Sequence, residues 1–186
     1  VYGFKHNVIQ EVTYGTLLDS QQRLLHSAVG ETLEVLLPEE VEQLAYHYSR
    51  SGIRDKTLHY LESAARKTQR EYANETALNY YQQLLLLEER WEWRREHVNI
   101  LHILGRREEE HASLHILAQS SQVPACEVAY LWGQYYESVG NWAEAQQSVE
   151  RALREDGTAA RCYLLGARIL YSQGEFDDSL EWAQQA

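Results

Sequence analysis

The chain has 186 residues, 44% of them hydrophobic, enough to bury a core as one domain or a short array. Its 17 basic and 28 acidic residues leave a net charge of −11, which repels a phosphate backbone and excludes nucleic acid as a natural partner. The longest apolar run, residues 84–87, is far too short to cross a bilayer, and Cys126 and Cys162 do not form a close pair, as suits a reducing compartment. A cytoplasmic location is therefore expected. The chain holds no methionine, and it reads as a piece from the interior of a longer protein.

Leu, Ala, Glu, Gln and Arg dominate, only Pro38 and Pro124 interrupt, and no sustained alternation marks a sheet, so the fold class is all-α. Residues 1–4 could be the stub of a strand, and residues 5–14 read as a short helix with Val8, Ile9 and Val12 on one side. Gly15 breaks it. Asp19 or Ser20 is placed to cap the next helix, whose core stripe is expected at Leu25, Val29, Leu33 and Leu36. Pro38 is expected to open another helix, with Glu39 and Glu40 in its first turn.

From there helical stripes follow in close order. Val41, Leu44, Ala45 and Tyr48 share a face that ends at Gly52, and Leu58, Leu61, Ala65 and Thr68 form the next, to about Arg70. Asn74 is the expected N-cap for residues 75–88, with Ala77, Leu78, Tyr81, Leu84 and Leu85 inward. A charged corner at residues 88–90 leads to a helix from Trp91 to Leu104, closed by Gly105, and residues 106–119 return. Pro124 starts the helix that leads into Gly140.

Gly140 and Gly174 stand 34 residues apart, and their surroundings repeat in kind. Around the first lie Ala129, Trp132-Gly133, Tyr136, Trp142, Ala145, Val149 and Ala152. Around the second lie Tyr163, Gly166-Ala167, Leu170, Phe176, Ser179, Ala183 and Ala186. Gly52 repeats the pattern with Val41, Leu44-Ala45, Tyr48, Thr57, Leu61 and Ala64. At Gly105 the pattern is interrupted, because Glu110 stands where a small residue is expected. Small residues let paired helices approach, large ones fill the gap to the next pair, and glycine turns the chain.

This pattern resembles the tetratricopeptide repeat family. The resemblance implies a right-handed superhelix of about four or five helical hairpins, with residues 37–122 irregular and residues 123–186 forming two repeats, the last cut short. In that family the first helix of each hairpin lines a concave groove for a protein or peptide. Carried onto this chain, the groove is expected at Glu127, Tyr130, Gln134 and Glu137, then Arg161, Leu164, Arg168 and Tyr171. Arg95 and Asn99 are similar to the basic-plus-Asn pair with which some members hold a peptide's terminal carboxylate. Leu131 and Leu165 replace the polar residues that clamp would need, so the clamp itself is not expected.

Residues 1–36 carry a second resemblance. Tyr2-x-Phe4-Lys5-His6, Val8-Ile9-Gln10-Glu11-Val12-x-Tyr14, Leu17-Leu18, Arg23 and His26 are similar to the junction between winged helix and repeats in bacterial multidomain signalling ATPases of the STAND type. Those proteins often carry class III nucleotide-cyclase or kinase domains. Leu44-Ala45-x-His47-Tyr48 and Ala73-Asn74-Glu75-x-Ala77 continue the likeness. No G-x-x-x-x-G-K-[ST] occurs here, so a nucleotide site would lie outside these residues.

Candidate chemistry is sparse. His111, His115 and Glu108 share a helix face but lack the further ligands of a zinc site, and a solvated polar face is the expected reading. No nucleophile turn or reactive cysteine context appears, so no catalysis, metal or cofactor is expected. The expected function is a protein–protein or inter-domain scaffold. The alternatives are an oligomerisation module, pairing through an uncapped C-terminal end, or a regulatory segment of a cyclase or ATPase.

Overall fold

Left-handed backbone at four glycines sets the hairpin corners of this chain. In the computed structural model, which describes residues 12, 14–155 and 160–186, the φ angles are 80° at Gly52, 71° at Gly105, 75° at Gly140 and 89° at Gly174. A side chain's Cβ disfavours that region, so glycine ends the helix and reverses the chain at low cost. At the last three corners the next N–H bonds back across the turn: Arg106 N to Leu101 O at 3.0 Å, Asn141 N to Tyr136 O at 2.9 Å and Glu175 N to Leu170 O at 3.0 Å. Tyr72 makes a fifth left-handed corner without glycine, at φ 60°.

Ten helices are defined among the described residues, with no strand. They are α1 (Asp19–Leu36), α2 (Val41–Ser51), α3 (Arg54–Arg70), α4 (Asn74–Leu87), α5 (Trp91–Leu104), α6 (Arg107–Gln119), α7 (Ala125–Ser138), α8 (Trp142–Glu155), α9 (Ala160–Gln173) and α10 (Phe176–Gln184). The strand stub and most of the helix expected before Gly15 lie outside the described residues. The chain divides into two units, Val1–Glu88 and Glu89–Ala186.

In the first unit each helix packs on the next. The expected stripes of α2, α3 and α4 are its core: Leu44, Ala45, Tyr48, Leu61, Ala65, Ala77, Leu78, Tyr81 and Leu84 are at most 1% exposed. Tyr48 stacks on Tyr60, with ring centroids 5.1 Å apart, and Tyr60 donates to Glu34 at 2.6 Å. Burial and that bond push the Tyr60 hydroxyl up to about 12, so it stays a donor throughout the physiological range. The α1–α2 contact closes on a polar pair. Tyr14 Oη lies 2.8 Å from His26 Nε2, and His26 Nδ1 lies 3.0 Å from His47 Nδ1, so only one of the two facing nitrogens can carry a proton.

Three local expectations are corrected here. Helix α1 turns His26 and Gly30 inward and leaves Leu25, Val29 and Leu36 between 40% and 69% exposed, because Tyr48 packs on the Gly30 side. Pro38 sits in the turn before α2, which starts only at Val41, with Glu40 as its N-cap residue. Asp19 and Asn74 are first helical residues rather than caps. At α1 the Leu18 N–H is met by Gln21 Oε1 at 3.0 Å, and at α4 the cap residue is Ala73, without a side-chain bond.

The second unit has two buried clusters. Val98, Leu114, Leu117, Val123 and Leu131 join α5, α6 and α7. Ala129, Ala145, Val149, Ala152, Cys162, Leu165 and Ile169 join α7, α8 and α9. Close approach explains the small residues. A Cβ on Gly133 would meet Leu165 and Val149 at 3.2 Å, and one on Gly166 would lie 2.1 Å from Trp182 Cε3. Gly166→Ala must therefore drive the Trp182 ring away, and a loss of about 1–3 kcal/mol is expected as a lower urea midpoint. An unchanged midpoint would mean that α10 adds little to the stability of this unit.

Candidate functional site

Helix periodicity places the candidate residues of α7 on one strip: Glu127, Tyr130, Leu131 and Gln134 follow at i, i+3, i+4 and i+7. On α9, Arg161, Leu164, Arg168 and Tyr171 do the same, and on α5, Arg95 and Asn99 lie one turn apart. The structure brings six of them together. Arg95, Asn99, Glu127, Tyr130, Gln134 and Arg161 line one pocket of about 400 Å³, with Glu96 and Leu131 completing its wall.

The charges in this pocket are paired inside the protein. Arg161 forms an ion pair with Glu127, which is 8% exposed, and its guanidinium lies 4.4 Å from the centre of the Tyr130 ring. The bond to Glu127 raises the Arg161 pKa further, so the cation is permanent. Burial raises the Tyr130 hydroxyl, which stays protonated and able to donate. Arg95 bonds Glu96 at 2.6 Å and lies 5.6 Å from the Trp91 ring centre. Two cations face two carboxylates, so the pocket carries no net charge. Asn99 and Gln134 have no hydrogen-bond partner among the described residues and offer their amides to the cavity.

Four candidates lie outside the pocket. Arg168 holds Glu137 by two bonds, Nε to Oε1 at 2.8 Å and Nη2 to Oε2 at 3.0 Å, which ties α9 to the end of α7. Leu164 and Tyr171 are 56% and 64% exposed, and the Tyr171 ring meets the Phe176 ring edge to face, with centroids 5.3 Å apart. Glu96 is the wall residue that the repeat pattern did not point to. Leu131 is 3% exposed and belongs to the core of α5, α6 and α7. That burial is the physical reason a second Asn is absent there.

His111 and His115 are only partly the solvated face expected of them. Their rings pack on Trp132 at 5.4 and 5.1 Å, and His111 also meets Tyr135 at 5.2 Å. Among the described residues no group of three His, Cys, Asp or Glu side chains is placed to hold a metal, and no helix is long and apolar enough to cross a membrane.

Comparison with known proteins places the fold. No family profile and no curated protein sequence matches this chain. Solved structures do. MamA residues 41-end from Desulfovibrio magneticus RS-1 is 12% identical, with a TM-score of 0.66 over 90% of this chain and 94% of that one. PilF of Pseudomonas aeruginosa is 18% identical, with a TM-score of 0.62 over 90% of this chain and 76% of that one. YrrB, described as a TPR protein with an unusual peptide-binding site, is 14% identical, with a TM-score of 0.60 over 96% of this chain and 88% of that one. The chain has the all-α, tetratricopeptide-like fold of helical hairpins.

Proposed function

We propose that this chain is a non-catalytic scaffold that binds a protein or peptide, or another domain of its own parent, in the pocket between Arg95 and Arg161. The observation that supports it is the pocket itself. Residues from three helices, chosen by repeat position, converge on one cavity with two unengaged amides and a half-buried tyrosine. Amides of this kind pair with the donors and acceptors of an extended peptide, and Tyr130 supplies a ring that loses little freedom on contact. Because the arginines already have carboxylate partners, binding of this kind is only weakly salt-dependent.

The wider setting belongs to the same reading. The motifs from Tyr2 to His26 favour a cytoplasmic, bacterial signalling ATPase or cyclase-type parent, with any active site outside these residues. A second reading, self-association through α10, is favoured by Phe176 and Leu180, each 61% exposed.

Peptide-display selection on the 186-residue chain tests the pocket. Selected peptides are expected to lose at least about tenfold in affinity with Tyr130→Ala and with the paired Asn99→Ala/Gln134→Ala change, about 1.4 kcal/mol. Arg168→Ala lies outside the pocket and is expected to change affinity by less. Since Tyr130 also packs on both buried clusters, the Asn99/Gln134 pair is the cleaner probe. Selected peptides that bind all variants equally would place recognition on another surface.

A further inference from the structure

The way charge is paired around the pocket limits what can enter it. Arg161 reaches Glu127 through both terminal nitrogens, Nη1 to Oε1 at 3.4 Å and Nη2 to Oε2, and only 10% of the Glu127 side chain meets solvent. On the other side Arg95 bonds Glu96 through Nε at 3.0 Å and Nη2 at 2.6 Å. The same cavity holds Asn99 and Gln134, each six residues before its corner glycine (Gly105 and Gly140), so one repeat position presents an amide twice. In the next repeat Arg168 takes that place before Gly174 and is held by Glu137. The two amides are thus flanked by ion pairs that are already closed.

A ligand charge of either sign has to disturb one of these pairs. A carboxylate seeks a guanidinium, and the one it would draw from Glu127 belongs to a carboxylate largely closed to water. Left behind, Glu127 keeps its desolvation without the attraction that offsets it, and the ligand's own negative charge lies beside it. A ligand cation meets the reverse: Glu96 and Glu127 are both engaged, and Arg95 and Arg161 repel it. Uncharged polar groups break no pair. A primary amide or a hydroxyl can exchange hydrogen bonds with Asn99 and Gln134, whose side chains each donate and accept. Discrimination of this kind comes from penalising the wrong partner more than from favouring the right one.

We propose that the pocket takes an uncharged polar segment of its partner, rich in Asn, Gln, Ser or Thr, and that Glu127 is the residue that excludes acidic ones. This rests on the peptide-binding reading of the pocket and adds the chemistry of the ligand. Three display libraries test it on the 186-residue chain. They are identical outside a central stretch restricted to Asn, Gln, Ser and Thr, to Asp and Glu, or to Lys and Arg. On the wild-type chain the uncharged library is expected to enrich at least about tenfold over each charged one, an advantage lost with Asn99→Ala/Gln134→Ala. Glu127→Gln keeps the size of the side chain but leaves Arg161 without its counter-charge. The acidic library should gain at least about tenfold on that variant, and the gain should shrink as salt rises. Circular dichroism and the urea midpoint check that Glu127→Gln is folded, and the wild-type comparison needs no variant. A charged library that enriches as well as the uncharged one, and is lost with Asn99→Ala/Gln134→Ala, overturns the proposal while the pocket stands. So does an acidic library that gains nothing on folded Glu127→Gln. Enrichment indifferent to Asn99 and Gln134, or none from any library, overturns the pocket reading and the proposal with it.

Discussion

Arg107→Ala should lower the stability of the second unit by about 3 kcal/mol or more, among the largest effects of any single surface-reaching residue in this chain. Its partner Glu110 is 1% exposed and stands at a repeat position that ordinarily takes a small residue. Two groups make that burial tolerable. Arg107 Nη1 lies 2.6 Å from Glu110 Oε2, and His102 Nδ1 lies 2.7 Å from Oε1. Arg107 also donates to the His102 carbonyl at 3.1 Å, so it braces the Gly105 corner as well as the carboxylate. Removing the guanidinium leaves the carboxylate closed off from water with only the His102 contact at Oε1, and the part of the desolvation that the Arg107 ion pair had offset is left uncompensated. The double change Arg107→Leu/Glu110→Leu should recover most of the loss, since no buried charge remains. Urea unfolding of the two variants reads this directly. A double variant no better than Arg107→Ala would show that the arginine acts through the corner alone.

Glu110 also shows where sequence reading stops. As a position it looked like a weak repeat, since pattern matching sees a large charged residue where a small one belongs. Its partners are three and eight residues earlier, and only the turn at Gly105 brings His102 over it. The stripes of α2, α3 and α4 were legible because period and burial coincide there, and the corner glycines because positive φ leaves few alternatives. Helix α1 misled. Its most regular apolar stripe faces outward, and the face against α2 is marked by His26 and Gly30, which no hydrophobic pattern selects. The pocket was legible in its lining but not in its electrostatics. Glu127 and Arg161 hold the same place in successive repeats, 34 residues apart, yet only coordinates show that they pair across the stack. The 34-residue interval was the available signal. Glu96 had none, because it reaches the pocket wall by pairing with its own neighbour Arg95.

Acid should weaken the second unit through His97. This imidazole on α5 is 7% exposed, with Nδ1 3.0 Å from Ser113 Oγ on α6. Burial, with the Arg94 cation beside it, lowers its pKa from 6.5 to about 4. A group whose folded pKa is depressed in this way binds its proton more readily in the unfolded chain. Stability is therefore complete above pH 6.5, falls as the pH drops below it and levels out near pH 4. A gap of that size corresponds to about 3 kcal/mol across the window. His97→Leu fills the same apolar site without a titrating nitrogen, and Ser113 can turn its hydroxyl to a carbonyl of its own helix. Urea melts from pH 7.5 to pH 4, followed through the neighbouring buried Trp93, should show wild type losing about 3 kcal/mol relative to that variant. The carboxylates common to both proteins cancel in the difference. Curves that stay parallel across the window would mean that the protonated ring finds water or a carboxylate in the folded unit, and the contact with Ser113 would then be too loose to join α5 to α6.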